Sequence, residues 1–129
     1  MKEAVVTPKA PLAAGPYSPG ILSGEFIFCA GQGPLEPGTA TVMQGDMRAQ
    51  TRRVIENLKA VLEAAGSSLD GVVKCNVYLA DIADFAAMNE AYADYFRRPY
   101  PARTTIQVGA LPMGIRVEID CIARRVTSP

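Results

Sequence analysis

The residues best suited to chemistry in this 129-residue chain lie in its last third. Arg103, Thr105 and Gln107 alternate along one candidate strand, Arg103–Val108, while Arg116, Glu118 and Asp120 alternate along another, Ile115–Arg124. An arginine offers a planar, permanently charged fork that matches a substrate carboxylate. A glutamate in a partly dry site gains a raised pKa and can act as a base that activates water. A threonine hydroxyl beside them can fix that water or a polar substrate atom. If the two strands pair as an antiparallel hairpin across the loop at 109–114, Thr105 faces Glu118, with Arg103 one step along on the same face. A cation, a hydroxyl and a carboxylate then converge, an arrangement suited to hydrolysis of a small carboxylate-bearing electrophile. The same pattern also describes a cross-strand ion pair that only stabilises the sheet, by about 0.2–1 kcal/mol.

Composition narrows the choice. With no histidine in the chain, Ser-His-Asp and Cys-His catalysis, His-ligated zinc, haem on a proximal histidine and an imidazole pH switch are all excluded. Thirteen Lys+Arg balance thirteen Asp+Glu, so the basic footprint of a nucleic-acid or polybasic membrane binder is missing. Cys29, Cys75 and Cys121 are odd in number, far apart and set in apolar stretches, which predicts packed thiols rather than disulfides or a metal site. No apolar run approaches the ~18 residues of a membrane span. The N-terminus meets Pro8, Pro11 and Pro16 without a signal-like apolar region. A cytoplasmic protein with neither a membrane nor a nucleic-acid partner is the expectation.

The elements that must position these residues read as one domain over 1–129. Apolar positions at three- and four-residue steps predict a helix over Asp46–Ala65, capped by Asp46 and stopped at Gly66. A second helix, about Asp84–Phe96, must end before Pro99 and Pro101. Val73, Cys75, Val77 and Leu79 alternate as the inward face of a strand, and Ser23-Gly24 joins two short N-terminal strands. The order β-β-α-β-α-β-β predicts an α+β fold, a mixed sheet with two helices packed on one face. Two helices cover only one side of such a sheet. The second face carries Tyr78 and Ile122, so a homo-oligomer packed sheet against sheet is expected. Two loops complete the inventory. Gly15–Gly20 holds Tyr17, whose phenol either donates across a cleft or packs on a rigid surface loop. Ala30–Pro34 exposes backbone N–H groups but lacks the residues of a P-loop.

Several motifs then coincide in order: Gly15-Pro16-Tyr17-Ser18, Ala30-Gly31-Gln32, Ala64-Ala65-Gly66, Asn89-Glu90-Ala91-Tyr92, Tyr100-Pro101-Ala102-Arg103, Ala110-Leu111-Pro112 and Val117-Glu118-Ile119. Together they closely resemble the RidA/YjgF family of reactive-intermediate deaminases, whose older labels are endoribonuclease L-PSP and translation initiation inhibitor. The resemblance spans about residues 3–125. It implies a chorismate-mutase-like fold and a homotrimer with sites in the clefts between subunits. It also implies cofactor-free hydrolysis of enamine and imine intermediates, such as 2-aminoacrylate released by PLP-dependent dehydratases, to 2-oxo acids and ammonia. Carried over by position, Arg103 holds the substrate carboxylate and Glu118 activates the attacking water. Tyr17 and the backbone at Gly31 line the pocket, with Asn89 at its edge. Thr105 stands where many members have cysteine, and Ala30 where many have serine. The alternative reading is a regulatory module that binds small 2-oxo acids in the same cleft without turnover. The ribonuclease label fits poorly with neutral charge, no histidine and only four phenylalanines and five tyrosines.

Overall fold

The computed structural model describes residues 1–126. Six strands form one mixed sheet: β1 (Lys2–Val5), β2 (Gly20–Ser23), β3 (Phe26–Gln32), β4 (Val72–Leu79), β5 (Ala102–Gln107) and β6 (Val117–Arg124). Two helices, α1 (Met47–Ala64) and α2 (Phe85–Ala93), follow β3 and β4. The strand order is β1-β2-β3-β6-β4-β5, so β5 closes one edge of the sheet. The α+β reading with two helices therefore holds.

Helix α1 begins and ends on the signals its sequence carries. The Asp46 carboxylate accepts the Ala49 N–H at 2.8 Å, and Gly66 takes the left-handed conformation at φ +79° just past the end. Its stripe of Val54, Ile55, Leu58, Val61 and Leu62 is fully buried against β3 and β6, with α2 alongside. The second helix is shorter than expected. Its regular part stops at Ala93, and one further turn carries Phe96 inward to stack on Tyr92 with ring centroids 4.4 Å apart. Burying that ring, together with the prolines downstream, ends the helix early.

Three strand expectations need correction. The expected strand order begins with the pair joined at Ser23-Gly24, yet Lys2–Val5 adds a strand before it, pairing antiparallel with β2, whose free edge supplies the ladder. In β4 a register shift between Val72 and Lys74 turns Val72 inward and leaves Val73 42 % exposed. The third correction matters most. β5 and β6 do not pair as a hairpin: β4 lies between them, parallel to β5 and antiparallel to β6. The segment between them is long enough to step over the end of β4. There Val108 N–H donates to Leu79 C=O at 2.9 Å and Ala80 N–H to Arg116 C=O at 3.0 Å. A tight hairpin needs only about two to five connecting residues.

The two faces of the sheet differ sharply. Ile27, Cys75, Val77, Leu79, Val117 and Ile119 point to the helices and are fully buried. Phe26, Phe28 and Ile106 lie on the other face at 39 %, 45 % and 45 % exposure, with none of the described helices over them. All three cysteines are buried and free. They align across three strands, Cys29 opposite Cys121 and Cys121 opposite Cys75. Burial pushes the Cys75 thiol up to about 11, which keeps it protonated and inert, as the packed-thiol expectation requires.

Candidate active site

Arg103 sits on the edge strand β5 with its side chain on the helix face, in register with buried Cys75. Helix α2 supplies what holds it. One guanidinium nitrogen donates to Asn89 Oδ1 at 2.6 Å. The group lies 4.7 Å from the Tyr92 ring centroid and 5.6 Å from that of Phe85. Another guanidinium nitrogen rests 3.9 Å from Met88 Sδ. Asn89 and Tyr92 are three residues apart, so one helical face presents both. Among the described residues no carboxylate pairs with Arg103; the ion pairs found join Arg48 to Glu90, Arg52 to Asp94 and Arg124 to Glu25. A cation fixed by a neutral amide and two aromatic faces has its remaining N–H groups free for an anion. Thr105 follows on the same face, its Oγ1 buried without a hydrogen-bond partner. Beside Arg103 opens a hollow of about 270 Å³ lined by Asn89, Tyr92, Ala93, Tyr100, Pro101 and Arg103.

Glu118 occupies the opposite face. It stands across from Tyr78 on β4 and two residues before Asp120 on β6. Asp120 accepts from Asn76 Nδ2 and from the Tyr78 hydroxyl, each at 2.8 Å. Donating to that carboxylate raises the Tyr78 phenol to about 12. Desolvation first, and the Asp120 charge second, raise Glu118 above the ordinary carboxylate range. Gly31 makes the room: a Cβ there would lie 2.8 Å from the Glu118 carboxyl carbon, so only glycine lets the carboxylate rest against this stretch of backbone. The neighbouring Ala30 N–H donates to Pro19 C=O at 3.0 Å, tying the Tyr17 loop to this region. Tyr17 is half exposed, and its oxygen accepts the Ala14 N–H at 3.1 Å.

The candidate residues thus fall into two groups. Arg103, Asn89 and Thr105 belong to one, Glu118 and Gly31 to the other, with Tyr17 tethered beside the second. The expected convergence of Arg103, Thr105 and Glu118 on one patch does not occur within a chain. They lie on opposite faces of the sheet, two strand positions apart, because β4 intervenes.

Two further contributors are not singled out by the sequence pattern. Asn57, fully buried in the stripe of α1, donates to the carbonyls of Gly33 and Leu35 at 3.1 and 2.9 Å. It thereby anchors the segment that leaves Gly31. An asparagine inside an otherwise apolar helical stripe is the available signal, since a buried amide needs partners. The Asn76–Asp120–Tyr78 network is the other. Alternation on β4 and β6 marks its residues as sharing a face, but only the strand register shows that they meet.

The model of the family described as endoribonuclease L-PSP matches residues 7–125. The chain belongs to this family, also called RidA/YjgF. A RutC family protein of Pyrococcus horikoshii is 51% identical over 123 residues, 95% of this chain and 98% of that protein. A goat protein named 2-iminobutanoate/2-iminopropanoate deaminase is 41% identical, over 95% of this chain and 90% of its own length. Among solved structures, RidA from the Antarctic bacterium Psychrobacter sp. superposes with a TM-score of 0.90 at 44% identity, covering 95% of this chain and 98% of that one. As a RidA/YjgF member, the chain has relatives that carry imine-deaminase names, and imine deamination is the activity supported at the family level.

Proposed function

We propose that this protein hydrolyses reactive 2-imino acids and their enamine tautomers to 2-oxo acids and ammonia, in a cleft between two copies of the chain. The observation that carries this reading is Arg103, a cation fixed by Asn89 and two aromatic rings with no carboxylate partner among the described residues. That arrangement suits a ligand that brings its own carboxylate. Glu118, desolvated and raised in pKa, suits a base for water.

The two groups point to opposite sides of one sheet, so a single substrate meets both only if they come from different copies. The open face, with Phe26, Phe28 and Ile106 exposed, is the surface for such a contact. Because Arg103 on one copy must meet Glu118 on the next, the contact is head-to-tail, and a closed ring such as a trimer satisfies every copy. No cofactor enters the chemistry. Arg103 takes the substrate carboxylate, with Asn89 holding the guanidinium in place. Glu118 removes a proton from water as the oxygen adds to the C=N carbon. The same carboxyl then returns that proton to nitrogen, giving the carbinolamine; it next takes the hydroxyl proton and passes it to nitrogen, so that the C=O bond forms as the C–N bond breaks and ammonia leaves. Tyr17 and the Gly31 backbone flank the Glu118 side of the cleft. Thr105 Oγ1, buried and unpartnered, is free to bond a substrate or water oxygen.

The test couples the protein to a PLP-dependent dehydratase acting on serine, which releases 2-aminoacrylate. Accelerated pyruvate release that Arg103→Ala abolishes supports the reading. No acceleration by the assembled protein contradicts it, and saturable 2-oxo acid binding without turnover would favour a ligand-sensing module instead.

A further inference from the structure

The hollow next to Arg103 goes beyond what carboxylate capture requires. Its walls are mostly carbon, from Tyr92, Ala93, Tyr100 and Pro101. Each ring has a packing partner: Tyr92 stacks on Phe96, and the Arg98 guanidinium lies 5.5 Å from the Tyr100 centroid. The Asn89 oxygen is already engaged by Arg103, so it offers little to a polar group entering the hollow. At about 270 Å³ the space equals roughly nine water volumes, more than the heavy atoms of a benzyl group need. A methyl or methylene side chain would leave most of it wet.

Resting on the deaminase reading above, we propose that this hollow receives the substrate's side chain. On this assignment the chain prefers 2-imino acids with a branched aliphatic or aromatic side chain over the three-carbon imine. The carboxylate on Arg103 and a side chain between Tyr92 and Tyr100 then fix the substrate at two points. Ala93, on the exposed end of α2, lines the hollow, so a larger side chain there would narrow it.

The experiment compares 2-imino acids made in situ from alanine, leucine and phenylalanine by an L-amino acid oxidase. Full burial is worth about fourfold in kcat/KM per methylene. Since the hollow is open on one side, we expect the leucine- and phenylalanine-derived imines to exceed the alanine-derived one by about tenfold. Ala93→Leu should bring that ratio towards one. Equal or falling kcat/KM along the wild-type series, or an unchanged ratio in folded Ala93→Leu, overturns the proposal. Calorimetry with propanoate, 4-methylpentanoate and 3-phenylpropanoate needs neither turnover nor the variant. Affinity rising along that series supports the pocket, and flat affinity overturns it. If no imine is turned over, the deaminase reading fails by itself while calorimetry still decides the pocket.

Discussion

The two faces of the sheet hold the two halves of the proposed site, and they are built differently. On the helix face, Arg103 is complete within a single chain: Asn89, Phe85 and Tyr92 all come from α2 and restrict its guanidinium. On the open face, Glu118 has only part of a setting. Gly31 gives it room and the Asn76–Asp120–Tyr78 network fixes the neighbouring charge, yet neither helix among the described residues covers it. In the proposed site, recognition is therefore preorganised in one copy, whereas the base depends on what packs against the sheet. Ligand binding should follow the first face and turnover the second.

The largest effect expected is on the open face. Glu118→Gln keeps size and removes the base, so kcat should fall by roughly 10²–10⁴-fold with KM little changed, read in steady-state imine hydrolysis. A KM defect instead would break the division between the faces. Arg103→Ala should weaken 2-oxo acid binding by about 100-fold, the scale of lost charge-assisted hydrogen bonds, measured by calorimetry. Gly31→Ala places a methyl against the Glu118 carboxyl. It should lower kcat by about tenfold through misplacement while leaving carboxylate affinity near wild type. The smallest effect concerns pH. The raised pKa of Glu118 means its base form is lost as pH falls through a value above the ordinary ~4.3, so activity should decline on that acid limb. Asp120→Asn removes the negative neighbour, lowers the Glu118 pKa and should shift the limb to lower pH in a kcat profile.

What could be read from sequence divides along similar lines. Helix α1, its caps and its buried stripe were legible because period, N-cap and glycine stop agree on one segment. The sidedness within β5 and within β6 was also legible, because alternation is local. Which faces of two strands coincide is not local. It depends on the strand between them, and β4, contributed from earlier in the chain, places Thr105 and Glu118 on opposite sides. Val72 replaces Val73 in the core for a related reason, since a register shift cancels simple alternation. The Arg103 and Glu118 motifs need no hairpin between them: each residue has its own setting, on β5 and on β6, although the strands do not pair.

The central claim is that Arg103 and Glu118 serve one substrate from two copies of the chain. Arg103→Ala and Glu118→Gln proteins, each inactive, should be unfolded together, refolded as a 1:1 mixture and assayed for imine hydrolysis. In a head-to-tail ring, mixed assemblies contain sites with both residues intact. Random mixing predicts recovery of roughly a quarter of wild-type activity. If mixed assemblies form, as mass spectrometry can show, and activity stays at the level of the single variants, the two residues do not share a site across the subunit boundary and the account is wrong.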